Sequence, residues 1–392
     1  MLFLVLLLSA LLFLGGCANP MDALQTGSDP YAYSGAQSAE SKAKDYDDAF
    51  CDKVTRFAYE TLSDAQKLWY EDVEHILGSM ESDGPLSREG IAQGLEEKDI
   101  ELVFQCVCID HPEFFYVDGF SYVTHYLNDD IVGYDFSGNY SMDRREATKK
   151  QLELQTEREN VIVAWAESAT DTMDYGKIKF VYEYLIKSVE YDMDAPDNQN
   201  IYSALVLKRS VCQGYSKAMQ YVLNAMGVEC TLVQGEAFGM THGWNLVKAD
   251  DAYYYLDVTW GDNSYHPGGD AASPEILYDY FLVTTEEIQK EHVITEIVPL
   301  PVCMSSADNY FVRENAFLLG ADEDQLRMLF ANATAENGWQ VSLKCVDEEC
   351  FKAVKKLLLD ENKIFDLYPV GNNKVAYYQN EELFCLTFWV TN

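Results

Sequence analysis

The 392-residue sequence predicts an α+β fold. Three observations carry that expectation: a helical pattern that opens at Cys212, an aromatic hairpin that follows it, and strands alternating with helices after Pro301. With 48% hydrophobic residues, the chain has ample material for buried cores, and its length suits two domains or one large domain with a small appendage. No internal repeat is evident.

Taken in order, Leu2 to Phe13 is an apolar stretch too short to span a bilayer comfortably, and Leu14-Gly15-Gly16-Cys17 follows it. That tetrad resembles a bacterial lipobox, although no Lys or Arg precedes the apolar run. The resemblance implies a signal over 1–16, cleavage before Cys17, acylation of the Cys17 thiol, and a protein anchored by lipid to the outer side of a bacterial cell membrane. Residues 17–48 are rich in Ala, Ser, Gly and Asp without an apolar period, and read as a disordered tether. A mainly helical region is expected over 49–164. In it, Ala58–Met80 reads as one helix ended by Gly84-Pro85, Ile100–Cys108 is apolar, and His111–Val117 leads into a hairpin through Tyr122.

The core is expected over 165–300, opening with a helix from Lys177 to Val189 that carries Ile178, Val181 and Leu185 on one face. Next, Tyr215, Ala218, Met219, Val222 and Met226 recur at helical spacing, and Gly227 is suited to end that helix. The runs Thr241–Lys248 and Tyr253–Trp260 are rich in aromatic and β-branched residues and flank a short polar turn, the usual hairpin signal. After Pro301, Asn309–Val312 reads as a strand, Asp322–Asn332 as a helix, Trp339–Val346 as a strand and Glu348–Leu359 as a helix. Lys374–Tyr378 and Leu383–Val390 read as a closing hairpin. Together these make 301–392 a small α+β domain with no recognisable site, read as an accessory or partner-binding module.

The chemistry is concentrated in the core. Cys212 falls at a helix N-terminus, where unpaired amides and the positive end of the helix dipole favour the nucleophilic thiolate and can hold an oxyanion. His242 and Asp257 lie on the two arms of the hairpin. If the turn is Ala249-Asp250 they are directly opposite, and if it is Asp250-Asp251 they are one diagonal apart; either register puts both side chains on one face. A carboxylate there fixes the imidazole tautomer while the other ring nitrogen faces the thiol. Taken singly, a cysteine opening a helix is more often a small buried hydrophobe, and a histidine in a strand is often a satisfied polar group. The three together reverse those odds. Trp244 and Trp260 are expected to wall the site rather than react, and Asn245 is ambiguous, since lying an odd number of residues from His242 in a strand turns its side chain to the opposite face.

Val211-Cys212-Gln213-Gly214-Tyr215, His242-Gly243-Trp244-Asn245 and Tyr254-Tyr255-Leu256-Asp257-Val258-Thr259-Trp260-Gly261-Asp262 resemble, in that order, the motifs of the transglutaminase-like superfamily. Tyr278-Asp279-Tyr280-Phe281 and His292 are similar to the tail of that domain in bacterial members, and the preceding region is similar to the helical preface of bacterial transglutaminase-domain lipoproteins. The resemblance implies a papain-like core, with the helix bearing the nucleophile packed on an antiparallel sheet. It implies Cys212 as nucleophile, His242 as the group that passes the proton to the leaving amine, and Asp257 as its orienting carboxylate.

Sixty-five acidic residues against 28 basic ones, a net charge of −37, argue against nucleic-acid binding, because such a surface repels phosphate backbones. Of the ten cysteines, those other than Cys17 and Cys212 form no dense disulfide framework in so long a chain. Cys106-Val107-Cys108 has one residue too few between its thiols for the common zinc knuckle, so strand cysteines packed as small hydrophobes are expected there. Asp257, Asp262 and Asn263 are oxygen-rich but lack the spacing of an EF-hand, and neither a metal nor a cofactor is expected. The expectation is therefore an extracytoplasmic thiol hydrolase or acyltransferase acting on protein, peptide or cell-wall peptide amides. Hydrolysis is favoured because Gly235–Met240 reads as a short, open, mobile rim. The alternative is a catalytically idle binding module on the cell surface.

Overall fold

A computed structural model describes residues 6–7, 56–263, 276–333, 339–367 and 374–391. Of the expected signal only Leu6–Leu7 is among them, as a backbone strand antiparallel to Tyr122–Val123; Cys17 and the 17–48 tether lie outside the described residues. No helix among the described residues is long and apolar enough to cross a membrane. The chain divides into two compact units. One gathers the described residues up to Cys108 with Tyr116–Ala147 and Asn224–Gly227, and the other holds Ile109–Phe115, Thr148–Leu223 and Val228–Asn392.

In the first unit the expected single helix Ala58–Met80 is two. Phe57–Thr61 stops at Leu62, which is extended, and α1 (Asp64–Gly78) starts afresh at Ser63. There the Ser63 hydroxyl accepts the Gln66 amide at 3.3 Å and the Gln66 side chain accepts the Ser63 amide at 3.1 Å, a reciprocal cap that outcompetes continuation of the helix. Helix α2 (Glu97–Asp110) carries Cys106 and Cys108, so these are helix residues and not the strand cysteines expected. The region taken as mainly helical also contains a long antiparallel hairpin, β1 (Val117–Leu127) and β2 (Asp130–Tyr140). Phe104 of α2 packs on Phe120, with centroids 4.5 Å apart, and Phe120 stacks on Phe136 at 5.5 Å, so this sheet has its own aromatic core.

Helix α3 (Arg144–Ser168) leads by sequence into the second unit, where α4 (Asp174–Ser188) buries Ile178, Val181 and Leu185 as its periodicity requires. Helix α5 (Cys212–Ala225) ends where Gly227 takes a positive φ of 76°. Four antiparallel strands follow: β3 (Cys230–Ala237), β4 (Met240–Ala249), β5 (Ala252–Leu256) and β6 (His292–Thr295), in spatial order β6-β3-β4-β5. Ala249 pairs with Ala252, so the turn is Asp250-Asp251, with Asp250 at φ 49° in the left-handed region that Asp tolerates. Of the two registers open in the sequence, this is the diagonal one. A four-residue helix, α6 (Val258–Gly261), begins directly after Asp257.

The C-terminal part of this unit has a second sheet, β7 (Phe317–Leu318), β8 (Val341–Cys345), β9 (Lys374–Asn380) and β10 (Cys385–Thr391), in the order β7-β8-β10-β9. Helices α7 (Glu323–Ala331) and α8 (Glu348–Lys355) cover a core that includes Leu326, Phe330, Leu343, Phe351, Val354 and Phe388. Asn309–Val312 is not the strand expected. The Asn309 side chain accepts the Phe311 amide at 3.1 Å and caps a short helix, Tyr310–Arg313, while its own amide donates to Phe281 O at 3.1 Å. Buried Lys344 of β8 pairs with Glu287, and Gln340 donates to Ile276 O at 2.6 Å, which ties this sheet to the core.

The edge strand β6 approaches β3 closely at Gly235, where a Cβ would lie 2.0 Å from Val293 O and 2.7 Å from the Trp244 ring. Gly235→Ala is therefore expected to lose about 1–3 kcal/mol of stability, because neither backbone nor buried indole can yield. Urea unfolding checks it; a midpoint equal to that of the wild type would show that β6 is held less closely than described.

Candidate active site

The N-terminus of α5 is held against β4 by short polar ties. The Ser216 hydroxyl lies 2.7 Å from Gly243 O and 2.9 Å from Cys212 O, and the Asn245 amide donates to Ser216 O at 2.9 Å and Thr231 O at 3.3 Å. Asn245 thus belongs to the bracket rather than to the reacting groups. Gly243 is needed for the approach, since a Cβ there would lie 2.7 Å from the Gln213 amide. From the other side, the Tyr215 hydroxyl lies 2.6 Å from Val189 O and 2.8 Å from Asp262 Oδ2, which engages one of the oxygens considered for calcium. These contacts leave the Cys212 thiol hydrogen-bonded to the His242 ring.

Asp257 is completely buried and caps α6: its Oδ1 accepts the Thr259 amide at 2.9 Å and the Trp260 amide at 3.1 Å. Oδ2 is thereby aimed at the sheet, where His242 Nε2 approaches to 2.7 Å and His292 Nε2 to 3.0 Å. Burial opposes ionisation of this carboxyl, but the charge and hydrogen bond of His242, followed by those of His292, outweigh it and hold the carboxyl well below the usual range. An ionised carboxylate only accepts, so both imidazoles present Nε2–H to it, and His242 keeps Nδ1 for the thiol. For His242, burial by itself would favour the uncharged ring; the Asp257 carboxylate and then Cys212 outweigh it and push the imidazole up to about 10. The ring is therefore an imidazolium at neutral pH.

Cys212, His242 and Asp257 are brought together as a connected set. The rings of Trp244 and Trp260 lie with centroids 5.9 Å and 5.8 Å from His242. Two features went unforeseen in the residues. His292 was noted only as part of a resemblance, and its bond to Asp257 joins segments 35 residues apart. Phe238 and Gly239 form a two-residue hairpin turn, both at positive φ, so Gly235–Met240 is the ends of two paired strands rather than a loop. Phe238 is largely exposed and stacks on Trp260 at 4.8 Å. Among the described residues, His242, Asp257 and His292 form one group whose facing atoms could hold a metal ion. The same atoms lie at hydrogen-bond distance from one another, His242 Nε2 at 2.7 Å and His292 Nε2 at 3.0 Å from Asp257 Oδ2.

Residues 163–260, which include Cys212, His242 and Asp257, match the family model of the transglutaminase-like superfamily. Over that segment the chain is similar to a transglutaminase-like core. Solved structures similar to the chain include a crystal structure of a TGase, 13% identical, covering 40% of this chain and 47% of its own, with a TM-score of 0.27. A Cytophaga hutchinsonii protein provisionally described as a cysteine protease is 12% identical over 32% of this chain and 51% of its own, with a TM-score of 0.23. Menin, in a structure that reveals its binding site for Mixed Lineage Leukemia protein, is 14% identical over 55% of this chain and 47% of its own, with a TM-score of 0.25. The chain spans about half the length of each. No curated protein matches the chain. The chain has an α+β fold whose core sheet is antiparallel.

The pKa directions set a pH window. The raised His242 contributes stability that is complete below its unfolded value, roughly 6.5, and is lost as pH rises through about 10; the lowered Asp257 contributes stability present above roughly 3.9 and lost only in strong acid. In Asp257→Asn the burial term on His242 is unopposed by a carboxylate, and the ring loses its proton at or below its ordinary value. Alkylation of Cys212 at about pH 7 is expected to slow at least about tenfold in that variant. Rates followed by peptide mass spectrometry check this, and an unchanged rate would show that the carboxylate does not set the imidazolium.

Proposed function

We propose that the protein is an extracytoplasmic thiol acyl hydrolase acting on peptide or carboxamide bonds, with Cys212, His242 and Asp257 as its reacting set. The observation that carries this reading is the continuous hydrogen-bonded path from the helix-start thiol through His242 to a buried, ionised carboxylate. Cys212 attacks the carbonyl carbon, and the oxyanion is held by amides at the start of α5, the Cys212 amide among them. The His242 imidazolium gives its proton to the leaving amine, forming a thioester and releasing the amine. His242 then takes a proton from the incoming water, whose oxygen displaces the thiolate and leaves a carboxylic acid. Water is preferred over an amine as the second nucleophile because the Phe238-Gly239 turn beside the site is too short to build a roof by itself.

Burial raises the thiols of Cys230, Cys303, Cys345 and Cys385, Cys303 to about 11. Limiting iodoacetamide at mildly acidic pH is therefore expected to label Cys212 ahead of these, and His242→Ala to slow that labelling by about tenfold or more. Equal labelling of Cys230 would sink the assignment. Incubation with glutamine-containing and amide-linked peptides, with and without a labelled primary amine, separates the outcomes. Cys212-dependent release of ammonia or peptide supports hydrolysis, amine incorporation that outruns it supports transfer, and no product across a broad panel supports a binding module.

The Leu14-Gly15-Gly16-Cys17 tetrad supports a further part of the proposal, that the chain is held at the bacterial cell membrane by lipid on Cys17 and meets peptide or cell-wall peptide substrates there. Cys17→Ser is expected to leave the protein unlipidated and in the soluble fraction. A mature N-terminus found elsewhere by mass spectrometry would refute the anchor.

A further inference from the structure

We propose that His292 is a positioning residue of this site, one that acts on the thiol only through Asp257 by occupying the carboxylate oxygen to which His242 is bonded. The inference rests on the reading of Cys212, His242 and Asp257 as the reacting set. His292 opens the edge strand β6, paired with Ala237 at the end of β3, and is 1% exposed. Its ring is enclosed by Trp260 at 4.4 Å, by Trp244 and Tyr280 each at 4.9 Å, and by His242 at 5.6 Å between centroids.

A histidine in such a cage is costly unless its polar atoms are used, because a buried nitrogen left without a partner forfeits its hydration. His292 Nδ1 has no hydrogen-bond partner among the described residues, so the whole polar use of the ring is the 3.0 Å bond from Nε2 to Asp257 Oδ2. Were the position only a space-filler, a phenyl or isobutyl group would fill it without that cost. What the imidazole adds is one N–H aimed at one oxygen. Asp257 then accepts four hydrogen bonds, two at Oδ1 from the amides of Thr259 and Trp260 and two at Oδ2 from His242 and His292. A carboxylate so surrounded cannot rotate to another partner, and its charge on Oδ2 is divided between two donors. Loss of His292 therefore does two things: it loosens the oxygen that orients His242, and it concentrates the charge of that oxygen on His242.

Beside this carboxylate stand His242 from β4, with Cys212 next to it, and Tyr182 from α4; Tyr280, packed on the His292 ring, bonds to Glu291 and lies near Asp279, whose carboxyl burial pushes up to about 7. Burial raises both tyrosines above their ordinary value, which keeps them protonated through the range below. The rate of Cys212 alkylation between about pH 5 and about pH 10 thus reads His242, with Asp279 titrating in the same range.

The test compares the full chain with His292→Phe, which keeps the ring and removes the donor, and His292→Gln, whose amide can restore an N–H. Iodoacetamide is the probe, and folding is checked by circular dichroism. His292→Phe is expected to lower the plateau rate about tenfold, the size of one hydrogen bond to a charged group. His292→Gln is expected to recover the rate to within about threefold of wild type. A folded His292→Phe with the wild-type profile, or a folded His292→Gln as slow as His292→Phe, overturns the proposal. Should the phenylalanine variant not fold, nitrogen NMR of the wild-type histidines decides: His292 protonated at Nε2 supports the bond, and His292 protonated at Nδ1 overturns it. Absence of selective Cys212 labelling in the wild type would strike the thiol assignment instead, and the same NMR measurement would still decide the bond to Asp257.

Discussion

The site depends on a carboxylate with no access to water. An ionised group transferred from water to an apolar interior is unstable by many kcal/mol unless its lone pairs are met, and Asp257 meets them all within the protein. Its position follows from several elements at once. The first turn of α6 supplies two amides, β4 supplies one imidazole and β6 another, and the Asp257 amide itself donates to Tyr280 O at 3.0 Å. If any of these elements is displaced, the buried charge loses a donor. The same bonds that satisfy Asp257 make His242 a cation at neutral pH, so the need to stabilise the carboxylate and the tuning of the imidazole are one interaction seen from its two ends.

Delivering a thiol to that imidazole is a separate packing problem. Helix α5 must come close enough to β4 for Cys212 to reach His242, and the approach is set by small residues and short ties rather than by apolar bulk. Gly243 leaves room for the Gln213 amide, Ser216 bridges the helix to the strand, and Asn245 bonds to both the helix and β3. Below these lie the large buried residues Tyr215, Met219 and Val222, whose burial gives the helix its affinity for the sheet without specifying its height along it. Hydrogen bonds are directional, so they fix the register that the apolar contacts leave loose.

The aromatic residues complete the environment. Trp244, Trp260 and Tyr280 surround the two imidazoles and lower the local dielectric, which strengthens each of the charge interactions above. Phe238 extends this wall outward from the two-residue turn, its exposed ring stacked on Trp260.

Much of this site was legible in the chain because its chemistry is locally encoded. Cys212 could be placed at a helix start by the spacing of Tyr215, Ala218 and Val222, and the odd sum of positions 242 and 257 put histidine and aspartate on one face for any even turn. The sequence could not choose between the two even registers, since Ala249-Asp250 and Asp250-Asp251 both offer an Asp for the left-handed position. Ala58–Met80 and Asn309–Val312 were misread for a common reason: side-chain caps from Ser63 and Asn309 override an apolar pattern that carries no information about its own ends. By itself, then, the sequence determined that Cys212 opens a helix and that His242 and Asp257 share one face of a hairpin, because periodicity and turn parity act within short stretches of chain. Only the tertiary structure decided that His292 shares Asp257, that Asn245 serves as a bracket, and that His242 is held charged. Each of these depends on burial and on partners brought from distant segments, and burial is a property of the folded whole.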